Sequence, residues 1–266
     1  MEAAQSAMQT RDTRFPLPAT AVVAVLAHGL TVAKRGRGGS TPLAHAARLR
    51  ACYALVLTFL FMGRQDSSVS LLDIDHGIDA DYIWLRLTEK QKRRQAYRRV
   101  VRLPLRWQPT DGHRSRLPDV ASLGRAYVAA RAACIGASRA PAYFFQLPGE
   151  QHPRTQSMSA WIAAALDAVG VHAPPGFAYL GHSLRSGGAS AAEAIGVPAF
   201  RANWLGGWAP SSRVREQHYL DPSVLPSPEA HQLLGWLAQG AYETTMPSWT
   251  PTQSACDTDA PGEWEA

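Results

Sequence analysis

Gly181-His182-Ser183-Leu184-Arg185-Ser186-Gly187-Gly188, continuing into the alanine-rich Ala189 to Gly196, is the stretch that decides the fold. It follows a short apolar run, Phe177 to Leu180, and reads as the opening of a helix whose small side chains let a neighbour approach closely. Two chemistries fit its first turn. Gly-x-Ser after an extended run matches the start of the nucleophile elbow G-x-S-x-G, which would make Ser183 the nucleophile of an α/β serine hydrolase. Arg185 occupies the fifth position, however, where the strained turn wants glycine, and the chain lacks a series of strands alternating with helices. Asp221 and His231 follow in the right order but stand too close together to come from separate strands. The second chemistry starts from His182 and Arg185. Residues three apart on a helix share a face, so this pair can address one phosphate. A lone His-x-x-Arg pair is common, and the rest of the chain has to decide.

Upstream, a helix is expected from near Pro18 through Val22, Val23, Val25 and Leu26, followed by a basic glycine-rich loop from Lys34 to Ser40. Thr41-Pro42 opens a second helix, with the hydroxyl as cap and proline in the first turn. That helix is almost wholly apolar by Leu60 and belongs in the core; Gly63 ends it and leaves Arg64 just beyond. From Tyr82 to Leu105 the pattern turns to β: a hairpin or small sheet with a strongly basic tip. A helical block follows from Pro118 to Ile135. Ser157 or Ser159 caps another, with Trp161, Ile162, Ala165, Leu166 and Val169 on one face before Gly170. Downstream of the decisive stretch, Pro210-Ser211-Ser212 opens a helix reaching about Leu220, and Ser227-Pro228 opens a last one carrying Leu233, Leu234, Trp236 and Leu237.

The net charge is +6 and the isoelectric point about 9.5, a balance suited to a polyanionic partner. The distribution is more telling: Arg86 to Arg116 holds eleven Arg and Lys residues against only Glu89 and Asp111. The three cysteines are widely spaced, with no Cys-x-x-Cys pair and no zinc spacing with histidine, so a reduced, intracellular protein without a structural metal is expected. The apolar run Ala51 to Met62 is too short to span a bilayer, and Leu17 to Ala33 is interrupted by polar residues; both are expected as buried helices, with no membrane partner.

In this setting the chain resembles the tyrosine recombinase (phage integrase) family. The residues that carry the likeness are Gly63-Arg64, Thr88-Glu89-Lys90 on the basic hairpin, His182-Ser183-Leu184-Arg185, Gly206-Gly207-Trp208 and Tyr219-Leu220-Asp221-Pro222, in the family's order and at about its spacing. The wording of the His182 segment is closest to recombinases of eukaryotic mobile elements. The resemblance implies an α+β, mostly helical catalytic-domain fold with a small basic β-hairpin or sheet. It also implies an activity: cleaving and rejoining double-stranded DNA through a 3′-phosphotyrosyl intermediate, without metal or other cofactor. Tyr219 would be the nucleophile, His182 the general base, and Arg64 and Arg185 the phosphate clamps. Trp208 would donate its indole N–H, and Lys90 would be the general acid, a role Lys92 could hold instead. Arg93, Arg94, Arg98, Arg99 and Arg102 would track the DNA backbone. The family works as a tetramer on DNA, often by exchanging a C-terminal helix, for which Pro228 to Gly240 is the candidate here; the location is then with DNA, in the nucleus if the source is eukaryotic.

Three departures accompany the likeness. Trp208 and Tyr219 stand further apart than is usual in the family. The carboxylate usually found three positions after the early arginine is replaced by Ser67, with Asp66 beside it. The helical N-terminal domain that closes over DNA in the family is expected to be absent, residues 1–14 forming a flexible lead, 15–245 one catalytic domain and 246–266 an acidic, disordered tail. A catalytically inactive DNA-binding relic of a recombinase is the alternative function.

Overall fold

The computed structural model describes residues 15–89, 97–105, 119–136, 141–208 and 213–238. Nine α-helices and three strands occur among them, besides a short 3-10 turn (Asp73–Asp75). They are α1 (Ala19–Arg35), α2 (Pro42–Leu60), α3 (Gln65–Val69), β1 (His76–Ile78), β2 (Tyr82–Glu89), β3 (Tyr97–Pro104), α4 (Val120–Ile135), α5 (Thr155–Asp167), α6 (Gly181–Ala194), α7 (Ala199–Gly206), α8 (Val214–His218) and α9 (Pro228–Ala238). The strands form one antiparallel sheet in the order β1-β2-β3. The mostly helical α+β architecture expected from the sequence is therefore what the chain adopts, and the parallel sheet that a serine hydrolase needs does not occur among the described residues.

Helix α2 is the axis of the molecule. Thr41 caps it, accepting from the Ala44 N–H at 3.2 Å, with Pro42 in the first turn. Every residue from Leu49 to Leu60 is buried, because α1, α4, α5 and α6 pack around it. By length and composition this helix could cross a membrane, but 78% of the apolar stretch is buried within the protein, which identifies it as a core helix. It ends in a Schellman motif: Gly63 donates its N–H to Thr58 O at 2.9 Å and Met62 donates to Phe59 O at 3.0 Å. The left-handed residue of that motif is Met62, at φ 46°, not the glycine that the sequence points to. A side-chain-bearing residue there carries a steric cost of roughly 1–2 kcal/mol, offset by the complete burial of its side chain.

Helix α6 lies against the same axis at backbone distance. A Cβ at Gly188 would stand 2.6 Å from Phe59 O, and one at Gly187 would stand 2.1 Å from Leu17 O. The Leu17 N–H also donates to Ser183 O at 2.9 Å, fastening the segment before α1 to α6. Ser183 is buried, its hydroxyl accepting from the Leu180 N–H at 3.0 Å; it completes the helix start rather than serving as an exposed nucleophile. The start of α5 differs from expectation in a similar way. The helix begins at Thr155, and Ser157 sits inside its first turn, where its hydroxyl accepts from the Arg154 N–H at 3.1 Å; Val169 lies past the helix end.

The sheet shows the alternation of a half-buried strand pair. Ile83, Leu85, Leu87, Val101 and Leu103 face the core, while Arg102 is exposed, its guanidinium 5.9 Å from the Tyr82 ring centre. The sheet is joined to α2 through His76, whose Nε2 lies 2.8 Å from Tyr53 Oη and whose ring stacks on Phe144 at 4.0 Å. Burial lowers the His76 pKa to about 4.

Two outcomes test this account. Gly187→Val should overpack the α6 contact with Leu17, costing about 1–3 kcal/mol and lowering the melting temperature by roughly 2–4 °C for each kcal/mol, as followed by circular dichroism. For His76 the folded-state pKa lies below the unfolded value of about 6.5. Its contribution is thus complete above that value and lost as pH falls through about 4. His76→Gln should therefore narrow the difference between urea midpoints measured at pH 7.5 and pH 4.5.

Candidate functional site

The site is built from one buried cation outward. Arg185, in the second turn of α6, is 2% exposed. Its Nη1 donates to Met62 O at 2.5 Å and to Gly206 O at 2.7 Å, joining the end of α2 to the end of α7. Its guanidinium lies 3.7 Å from the centre of the Trp208 ring and 5.0 Å from that of Tyr219. Two carbonyl dipoles and two aromatic faces thus compensate a charge taken out of water. The carbonyl of the left-handed Met62 points at this cation, which gives the strained turn a task.

Trp208 owes its place to the glycines before it. Gly207 takes φ 71°, ending α7, and the indole folds back over Gly206, where a Cβ would meet it at 2.0 Å. The result is a tryptophan 7% exposed whose ring centre stands 5.2 Å from that of Tyr219. The extra length between these two residues does not separate them. His182, exposed on the first turn of α6, holds its ring parallel to that of Tyr219, at 5° and 6.3 Å between centres. Four residues expected to act together (His182, Arg185, Trp208 and Tyr219) therefore share one neighbourhood.

Arg64 follows Met62 by two residues in the chain. It is partly exposed at the start of α3, between Met62, whose carbonyl accepts from Arg185, and Gln65, whose side chain fills the space beside Gly181. Gln65 also donates to Ser159 Oγ at 3.1 Å, fixing α3 on α5. Asp66 is exposed, and its Oδ1 accepts the Ser67 N–H at 3.0 Å. Lys90, Lys92, Arg93 and Arg94 fall outside the described residues. Arg98 stands opposite Thr88 and Arg99 opposite Leu87 in the sheet register.

Tyr219 itself is the C-cap of α8, which is shorter than the helix expected; residues 209–212, where that helix was expected to open, lie outside the described residues. A helix of five residues has no stability of its own, so its anchors matter, and the sequence reading missed them. Arg215, 1% exposed, donates from Nε to Asn203 Oδ1 and from Nη1 to Glu193 Oε2, both at 2.9 Å. Ser186 and Ser190 donate to the Tyr219 carbonyl at 2.7 and 3.2 Å. The available signal was the spacing His182, Ser186, Ser190, one stripe of a helix read at intervals of four.

No family model matches the chain, and no curated protein matches it. Among solved structures it is similar to the XerH site-specific recombinase bound to palindromic difH substrate in a post-cleavage complex, with a TM-score of 0.52 at 11% identity, covering 78% of this chain and 51% of that one. It is also similar to lambda integrase residues 75–356, a dimer bound to a COC′ core site, with a TM-score of 0.43 at 16% identity, covering 80% of this chain and 62% of that one. The chain spans about half the length of the XerH chain it matches. The match to XerH agrees with the tyrosine-recombinase catalytic fold expected from the sequence.

Arg215→Met keeps the apolar stem and removes the charge, leaving Asn203 Oδ1 buried without this donor. The expected loss is about 1–3 kcal/mol in urea unfolding, together with faster limited proteolysis between residues 213 and 220 in the folded protein.

Proposed function

We propose that this chain is the catalytic domain of a site-specific DNA recombinase or integrase of the tyrosine class. The observation that carries the reading is the convergence of His182, Arg185 and Trp208, each singled out from the sequence, on the ring of Tyr219, with the two ring centres at 6.3 and 5.2 Å and the guanidinium at 5.0 Å. The similarity in fold to the XerH recombinase supports it.

In this reading Tyr219 Oη attacks the phosphorus of a DNA phosphodiester and the 5′ oxygen leaves, so that a 3′-phosphotyrosyl bond replaces the phosphodiester bond. The phosphodiester's energy is retained in that link and returned on religation, which makes a nucleotide cofactor unnecessary. A phenol has an ordinary pKa of about 10 and needs a base; His182 would take its proton. The departing oxygen would receive a proton from Lys90 or Lys92. Charge on the pentavalent phosphorus would be met by Arg64 and Arg185, whose guanidinium groups suit non-bridging phosphate oxygens, with the Trp208 indole N–H as a further donor. The arginines of the hairpin, Arg93, Arg94, Arg98, Arg99 and Arg102, would hold double-stranded DNA through its phosphates, without sequence preference and with strong salt dependence.

Assembly as a tetramer on DNA belongs to the same proposal, as does a location with DNA inside the cell. Helix α9 buries Leu233, Leu234, Trp236 and Leu237 against α1 and α6 of its own chain; exchange between neighbours would remake these contacts in trans. The wording of residues 182–188 favours a mobile-element recombinase. A second reading, a DNA-binding relic without cleavage, draws on the burial of Arg185 and its engagement by two backbone carbonyls.

The deciding experiment mixes the protein with nicked or phosphorothiolate-bearing duplexes from its own genomic flanks. A covalent protein–DNA band that disappears in Tyr219→Phe is the expected result. A band that persists in the variant would move the nucleophile elsewhere, and salt-sensitive binding with no band on any substrate would favour the relic.

A further inference from the structure

We infer that Ser186 and Ser190 are positioning residues that aim Tyr219 by clamping its backbone carbonyl to the helix carrying His182 and Arg185; the catalytic part of this inference rests on the function proposed above. The two serines lie one turn apart on α6, on the stripe that begins with His182. Both hydroxyls donate outward to the same acceptor, Tyr219 O, at 2.7 and 3.2 Å. Ser190 Oγ in turn accepts the Asp221 N–H at 2.8 Å, so the residues on either side of Leu220 are both held. Ser190 is 2% exposed, which shields its bonds from competing water. One turn further along α6, Glu193 takes Arg215, which lies one turn before Tyr219 in α8.

The geometry follows from where Tyr219 stands. As the C-cap of a helix, its carbonyl has no acceptor role within that helix. At φ −124° and ψ −15° the chain is turning, and the direction of the carbonyl sets the direction of the Cα–Cβ bond. Two donors from α6 fix that direction. The ring is thereby presented to His182, Arg185 and Trp208, which α6 and the end of α7 hold in place. A nucleophile misplaced by about 1 Å can lose on the order of a hundredfold in rate, so hydroxyls that touch no reacting atom are expected to control the cleavage step.

The test compares wild type, Ser186→Ala/Ser190→Ala, Ser186→Thr and Ser223→Ala. Ser223 bonds Asp221 Oδ1 but not the Tyr219 carbonyl and serves as the neighbouring control. Single-turnover formation of the covalent adduct should slow about 10–100-fold in the double alanine variant with duplex affinity unchanged, recover largely in Ser186→Thr, which keeps the hydroxyl, and stay near wild type in Ser223→Ala. Amide exchange at Asp221, read by NMR without DNA, should quicken in the double variant alone. Unchanged adduct rates in a double variant that binds DNA normally would overturn the positioning role, as would equal slowing in Ser223→Ala. If wild type forms no adduct, the recombinase reading fails separately, and Asp221 exchange alone decides the clamp: quickening upholds it and unchanged protection refutes it.

Discussion

One buried guanidinium organises this molecule. Arg185 sits where three pieces of chain meet: the turn leaving α2, the end of α7, and the aromatic pair Trp208 and Tyr219. A cation in such a place costs several kcal/mol to desolvate if nothing offsets it. The two carbonyls and the indole face supply the offset, and each restricts the backbone that provides it. The left-handed Met62, the glycine pair 206–207 and the close approach of α6 to α2 are conditions for lodging this charge. Removing the arginine would therefore loosen three junctions at once.

The short helix α8 illustrates a different dependence. Nothing in five residues can hold a tyrosine in place, so orientation is borrowed from α6. Glu193 grips the start of α8 through Arg215, the two serines grip its end, and His182 lies beside the ring itself. The tyrosine is held along one stripe of a neighbour whose own position is fixed by backbone contact with α2 and Leu17. Precision at the ring is thus inherited from packing at Gly187 and Gly188.

What the sequence made legible follows from this division. The elements were readable where local chemistry dictates them: Thr41-Pro42 opening α2, Ser227-Pro228 opening α9, and alternation in β2 and β3. His182, Arg185, Trp208 and Tyr219 were readable because their side chains are chemically distinctive and their order matches a known pattern. The serines showed no more than a helical spacing, because what they bind is the carbonyl and amide of remote chain; Arg215 was missed because its partners, the side chains of Asn203 and Glu193, meet it only through tertiary packing. Met62 was missed for a related reason. Gly63 offers the obvious left-handed residue, and it is tertiary structure, through the burial of the Met62 side chain and a carbonyl aimed at Arg185, that offsets the costlier choice. The basic hairpin tip was equally visible as charge, and the lysines that the resemblance singles out there lie outside the described residues.

The arrangement of α6 carries a consequence for how such a site can vary. The helix has three working faces: glycines against α2 and Leu17, Arg185 toward the junction, and the His182, Ser186, Ser190 stripe toward α8. A substitution on the glycine face displaces the whole helix, and a substitution at Arg185 unties its neighbours, so both would register first as lost stability. A substitution on the third face touches neither the glycine contacts nor the Arg185 junction, so it would register first at Tyr219. The orientation of Tyr219 is therefore the property most open to adjustment in this scaffold, and the identity of two small hydroxyl residues is the means by which it would be adjusted.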